Sequence, residues 1–291
     1  MQSLGALLHT MRPKQWTKNA FIFAALVFDQ KIFTLPYLVR TLAGFVLFCL
    51  VSGVVYTMND LADLEKDRAH PRKRLRPLPA GKLSPRFALF AAVVIAVVSL
   101  SLALWLSPLF TLILTGYLLL QVAYSFRLKH VVLLDVLAIA AGFVLRVAAG
   151  APLVDAENFS PWLYICTTLL ALFLALGKRR GEMILLGGGA GNHRESLNHY
   201  SLPLLDQLLS IVTSSVIVAY ALYTFSAPNL PENKSMMLTI PFVLYGLFRY
   251  LYLVHAEGTT LAPDEVLLTD RPLQVDLLLW GASAVAVLYL A

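Results

Sequence analysis

Charge is what this chain has least of. Asp, Glu, Lys and Arg make up 14% of its 291 residues, while 58% are hydrophobic. An ordinary soluble domain carries about 25% charged residues. This scarcity excludes a freely soluble globular protein and points to an integral membrane protein. Cysteine is nearly absent too. Cys49 and Cys166 each stand alone in an apolar run, which excludes a disulfide framework and a thiolate metal site. A nucleotide-binding glycine fingerprint is also missing. The run GGGAG at 187–191 is irregular, follows no strand, and reads as a flexible loop. No segment has the composition of a soluble domain, so residues 1–291 are read as one integral membrane domain.

What is present in quantity is apolar sequence. It divides into about nine helices of about 17–25 residues, the length that spans a bilayer. They fall near 19–36, 40–62, 85–106, 109–126, 132–150, 161–178, 205–226, 236–255 and 273–291. The fold class is all-α and polytopic. Ser84-Pro85 and Ser160-Pro161 read as N-caps followed by Pro in the first turn. Ser107-Pro108 makes a tight connection. Gly5, Gly53 and Gly116 are expected to permit close helix contacts.

The net charge of +6 is explained better by topology than by nucleic acid. Alternate segments hold Arg12, Lys14 and Lys18; then Lys66 through Arg86; Arg127 and Lys129; Lys178, Arg179, Arg180 and Arg194; and Arg271. The others hold only Lys31, Arg40 and Lys234. This asymmetry predicts a cytoplasmic N-terminus. No small-residue cleavage site follows Lys18, so the first span is expected to be uncleaved.

The densest polar stretch is YTMNDLADLEKDRAHPRKRLRPLPAG at 56–81. On a helix, Tyr56, Asn59, Asp60, Asp63 and Asp67 fall within one arc of about 100°. Glu65 points elsewhere. Carboxylates crowded on one face repel unless a cation sits among them, and an oxygen-only donor set suits Mg²⁺. Asn59, Asp60, Asp63 and Asp67 are therefore the candidate metal ligands. Arg68, Arg72, Lys73, Arg74 and Arg76 follow directly, an anion-binding run beside a metal-binding run. The plainer alternative is a solvated charged loop.

Further along, YSFRLKHVVLLD sets Tyr124, Arg127, Lys129 and His130 at a turn and Asp135 at a helix start. Arg146 lies about three turns later on the same face. Ionisable groups within a span normally face a polar cavity; a structural ion pair with another helix is the alternative. In GKRRGE, Glu182 stands one turn after Lys178, which predicts an i,i+4 contact.

The run N-D-x-x-D-x-x-x-D at 59–67 resembles the first aspartate-rich motif of the UbiA superfamily of intramembrane prenyltransferases. RPKQWTKN at 12–19, YSFRLKH at 124–130, GFVLRVAAG at 142–150 and GKRRGE at 177–182 narrow the resemblance. They are similar to the members that transfer phosphoribosyl groups to decaprenyl phosphate. The second acidic motif, DxxxD, usual in aromatic prenyltransferases of the superfamily, is represented here only by Asp135.

The resemblance implies a UbiA-type helical bundle in the inner (cytoplasmic) membrane with its active site on the cytoplasmic side. It implies a Mg²⁺-dependent transfer from 5-phosphoribosyl 1-diphosphate to a polyprenyl phosphate, in cell-envelope precursor synthesis. Asp63, Asp67, Asp135 and Arg146 are then the candidate catalytic residues. Lys14, Lys18, Tyr56, Lys73, Arg74, Tyr124, Arg127, Lys129, Arg146 and Lys178 are the candidates for holding the two substrates. The rivals are a UbiA-type aromatic prenyltransferase and, more distantly, a transporter.

Overall fold

The computed structural model describes every residue except 1, 70, 72, 157–159, 187–194, 229, 262 and 291. Arg72, Arg194 and the glycine run at 187–191 thus lie outside the described residues. No strand occurs among those described. In chain order the α-helices are α1 (Gln2–Thr10), α2 (Ala24–Phe28), α3 (Leu35–Ala62), α4 (Leu64–Ala69), α5 (Pro85–Leu106), α6 (Pro108–Phe126), α7 (Leu134–Gly150), α8 (Pro161–Leu186), α9 (Leu202–Ser226), α10 (Ile240–His255), α11 (Pro263–Thr269) and α12 (Arg271–Leu290). Eight helical segments among the described residues are long and apolar enough to cross a membrane. Trp105 is 89% exposed and Leu112 68%. Such exposure of large apolar side chains suits lipid and would be a liability in water.

The first expected span, 19–36, takes another form. Residues Pro13–Phe23 wind as a 3₁₀ helix that leads into the short α2. With three residues per turn, Trp16, Asn19 and Ile22 fall on one face. Asn19 is 1% exposed and Ile22 not at all, so the tighter winding puts a polar and an apolar residue inward together. A run of 3₁₀ winding this long is uncommon, and hydropathy carries no mark of it.

The caps divide. Ser84 and Ser107 accept from the backbone N–H groups of Phe87 and Phe110, and Ser201 does the same for Leu204. Ser160 does not follow. Its hydroxyl makes no hydrogen bond among the described residues, and its backbone carbonyl takes the Leu163 N–H instead. Of the three glycines, Gly53 alone is a close contact. A Cβ there would stand 2.5 Å from the Met11 side chain, while Gly5 and Gly116 have nothing within 4 Å.

The chain forms two compact units. The first comprises residues 1–26, 31–128 and 145–156. It is built on α3, which packs against α5, α6 and the 3₁₀ helix. Phe48, Val51, Phe110, Leu114 and Leu153 fill its core. The second comprises 27–30, 129–144 and 157–291. There α8 packs along α9, and α10 against α12, around Phe173, Leu176, Leu205, Leu209 and Tyr250.

Candidate active site

The acidic stretch begins inside α3 and runs through its end. Asp63 closes that helix and α4 starts at once. The Asp63 N–H donates to the Asn59 carbonyl (3.0 Å) and the Asp67 N–H to the Asp63 carbonyl (2.8 Å). The i,i+4 column Asn59–Asp63–Asp67 therefore survives the helix break, and these three residues stay stacked at one edge. Asp60 and Asp67 are buried, at 1% and 2% exposure, while the Glu65 side chain is 81% exposed and pairs with Arg68.

The two buried carboxylates are wrapped by cations from elsewhere in the same unit. Arg12 forms an ion pair with Asp60, and its guanidinium lies over the Tyr56 ring at 4.9 Å. Arg76 Nη1 bridges Asp67 (2.8 Å) and Asp60 (3.3 Å), and Lys73 Nζ stands 3.5 Å from Asp67. Arg12 is read from the sequence as a topogenic charge and Arg76 as part of an anion-binding run, not as partners of these carboxylates. Nothing local in the sequence marks a partner 48 positions away.

Arg146, in α7, belongs to the same unit. It is 7% exposed. Its Nε donates to Asn19 Oδ1 (2.9 Å) and its Nη2 to the Tyr117 hydroxyl (2.8 Å), with the guanidinium 4.8 Å from the Tyr117 ring. Asn19 and Tyr117 were likewise missed.

Asp135, near the other end of α7, is completely buried in the second unit. Arg179 Nε donates to its Oδ2 at 2.8 Å, Ser196 Oγ to the same oxygen at 3.2 Å, and Tyr200 Oη to its Oδ1 at 2.8 Å. Tyr200 in turn accepts the Leu133 N–H. Burial, reinforced by the hydrogen bond to Asp135, pushes the Tyr200 phenol above its ordinary value. Glu182, expected to meet Lys178, pairs with Arg179 instead at 2.6 Å. Both i,i+3 and i,i+4 neighbours lie on one helical face, and the buried guanidinium takes the carboxylate that exposed Lys178 does not need.

The remaining predicted residues are surface or half-buried. Lys14, Arg74, Arg127 and Lys178 are exposed; Lys18, Tyr56, Lys73, Tyr124 and Lys129 are intermediate. His130 Nδ1 stands 3.3 Å from Glu195. The loop after α10 passes over α8, where a Cβ on Gly181 would meet the Thr260 carbonyl at 2.3 Å.

A family model described as the UbiA prenyltransferase family matches residues 20–262. The chain belongs to the UbiA family. Among its relatives is the decaprenyl-phosphate phosphoribosyltransferase of Mycolicibacterium smegmatis, 31% identical over 98% of this chain and 93% of its own. The Corynebacterium glutamicum protein of the same name is 32% identical, over 98% of this chain and 87% of its own. A UbiA homologue from Archaeoglobus fulgidus, solved bound to GPP and Mg²⁺, has the same fold. It matches with a TM-score of 0.74 at 21% identity, covering 97% of this chain and 99% of its own. This UbiA member is a multi-pass, all-α membrane protein, and its class of activity is that of a UbiA-type transferase.

The donor set at 59–67 fits a hard divalent cation in kind. It offers an amide and carboxylates and no sulfur or imidazole. Among the described residues no group of three or more acidic, His or Cys side chains is gathered for a metal. Asp60 and Asp67 are instead paired with Arg12, Arg76 and Lys73.

Proposed function

We propose that this protein transfers 5-phosphoribosyl from 5-phosphoribosyl 1-diphosphate to a polyprenyl phosphate and releases diphosphate. The relatives named above support it. The observation that carries it against aromatic prenylation is the state of Asp135. A second acidic cluster would need that carboxylate available, whereas here Arg179, Ser196 and Tyr200 hold it. A phosphoribosyl donor has one diphosphate and one distal phosphate, so it asks for one metal-binding column and separate cations.

In this reading Asn59 and Asp63 would hold Mg²⁺, with Asp67 joining them by exchanging its contacts with the partly exposed Arg76 and Lys73, and Asp60 serves as the acceptor that keeps Arg12 and Arg76 beside them. Mg²⁺ bound there supplies charge neutralisation for the diphosphate leaving group. Lys14, Lys18, Lys73 and Arg74 meet donor phosphates, and Tyr56 orients the ribose. Arg146 takes an oxyanion with its planar fork. Tyr124, Arg127, Lys129 and Lys178 serve the acceptor phosphate or the donor's 5-phosphate. An oxygen of the lipid phosphate attacks C1 of the ribose as the C1–O bond to diphosphate breaks. The second pKa of a phosphate monoester is about 6, so the nucleophile is already anionic at neutral pH and no general base is needed. Asp135 takes no part in the transfer and fixes the segment around 195–200. The whole chain acts as one transferase domain, with these groups on the cytoplasmic side of the inner membrane, in cell-envelope precursor synthesis.

The test is product analysis. Purified protein, Mg²⁺, labelled 5-phosphoribosyl diphosphate and decaprenyl phosphate should yield a lipid heavier by one ribose 5-phosphate unit, with one diphosphate released per product. A protein that ignores this donor and prenylates 4-hydroxybenzoate would overturn the reading in favour of aromatic prenyl transfer.

A further inference from the structure

We propose that Asn19 is a positioning residue that sets the Arg146 guanidinium for its anion; the inference rests on the reading of Arg146 as an oxyanion holder. Asn19 is 1% exposed, and both ends of its amide are engaged. Its Oδ1 accepts from Arg146 Nε at 2.9 Å, and its Nδ2 donates to Ser52 Oγ at 3.0 Å and toward Cys49 Sγ at 3.4 Å. Only this orientation is chemically allowed, because the flipped amide would set a donor against the guanidinium N–H. The Ser52 hydroxyl in turn donates to the Cys49 carbonyl at 3.0 Å, so the amide is anchored on α3. The Tyr117 hydroxyl holds Nη2 from another helix.

Asn19 and Tyr117 are both neutral acceptors. They fix the direction of the fork without cancelling its charge. Arg179 differs in that its acceptors include the carboxylates Asp135 and Glu182. The backbone fixes the register of the contact. Gly150 lies one helical turn after Arg146 on α7, and Ile22 lies one 3₁₀ turn after Asn19. A Cβ on Gly150 would stand 2.1 Å from the Ile22 carbonyl oxygen. The bare glycine thus lets the two segments touch at two successive turns, and the outcome is that Asn19 arrives at Arg146 Nε. Asn19, the last residue of the motif RPKQWTKN, is in this account part of the donor site, one contact removed from the substrate.

A double-mutant cycle on donor KM tests this. Asn19→Ala should raise KM for 5-phosphoribosyl diphosphate about tenfold, as expected for one lost hydrogen bond to a charged group. Its kcat and its KM for decaprenyl phosphate should stay near wild type. In an Arg146→Ala background, Asn19→Ala should add nothing, because it acts only through Arg146. Additive effects would mean a general structural role and would overturn the proposal. So would an unchanged donor KM in Asn19→Ala when Arg146→Ala raises it. If Arg146→Ala itself leaves donor KM unaltered, the oxyanion reading of Arg146 falls, and this proposal with it. Should Asn19→Ala not fold, Asn19→Asp keeps the volume and the acceptor but adds a negative charge. It should raise donor KM while the melting temperature stays near wild type; a wild-type KM would overturn the proposal.

Discussion

Two places in this molecule bury carboxylates against cations, and they do so differently. At the end of α3, the Asp60 and Asp67 side chains are 1% and 3% exposed, but their partners Arg12, Arg76 and Lys73 are 27%, 30% and 43% exposed. Around Asp135 both sides of the pair are closed: the Asp135 side chain is 0% exposed and Arg179 2%. In the first arrangement the cations keep part of their surface exposed, and a partly exposed ion pair exchanges partners at less cost than a buried one. The second is sealed, with both carboxylate oxygens bonded. Breaking a sealed pair leaves a bare charge in a dry place. In the proposed reading, chemistry belongs to the first cluster and architecture to the second.

The largest expected effect breaks the sealed pair. Arg179→Ala should cost about 3–5 kcal/mol of stability, the usual result of removing one partner of a buried ion pair. Arg76→Ala should cost under about 1 kcal/mol, because its guanidinium is partly solvated and Asp60 and Asp67 keep other partners. Thermal melting of the purified variants in detergent checks both. Equal losses would erase the contrast.

The acidic column was legible because four polar residues at helical spacing stand out in an apolar chain. The spans from 85 to 126 were legible because Ser-Pro pairs punctuate uninterrupted apolar runs. The 3₁₀ winding of 13–23 was not, since its inward Asn19 reads on paper as one more polar residue after Lys18. Nor were the pairings Arg12–Asp60 and Asp135–Arg179. They join residues far apart in sequence, and charge spacing along a single helix carries no information about them. Glu182 was given to Lys178 for the same reason: sequence offers two neighbours at helical reach, and only burial decides between them.

The next effect is on rate. Asp63→Asn should lower turnover by at least about 10², comparable to losing one strong transition-state electrostatic contact. Its melting temperature should change little, which a parallel melt verifies. A smaller effect concerns pH. The Tyr200 phenol is raised above its ordinary value of 10.0, so the stability it contributes is complete below about pH 10. That stability is lost as pH climbs through the higher folded-state value. The melting gap between wild type and Tyr200→Phe should be constant from pH 7 to about 10 and shrink above that. A gap that shrinks near neutrality would mean that the anchor titrates where the enzyme works. The smallest expected effect is Glu65→Gln. Its side chain is solvated and its ion pair with Arg68 is superficial, so steady-state rates should stay within about twofold of wild type.

The contrast between the two clusters is tested most directly by the gain in melting temperature when Mg²⁺ and 5-phosphoribosyl diphosphate are added together. Wild type should gain stability, as any protein does that binds a ligand only when folded. Asp63→Asn should start near wild type and lose the gain. Asp135→Asn should start lower and keep it. If Asp135→Asn abolishes the gain while Asp63→Asn preserves it, the donor site lies at the wrong carboxylate and the division drawn here between chemistry and architecture is contradicted.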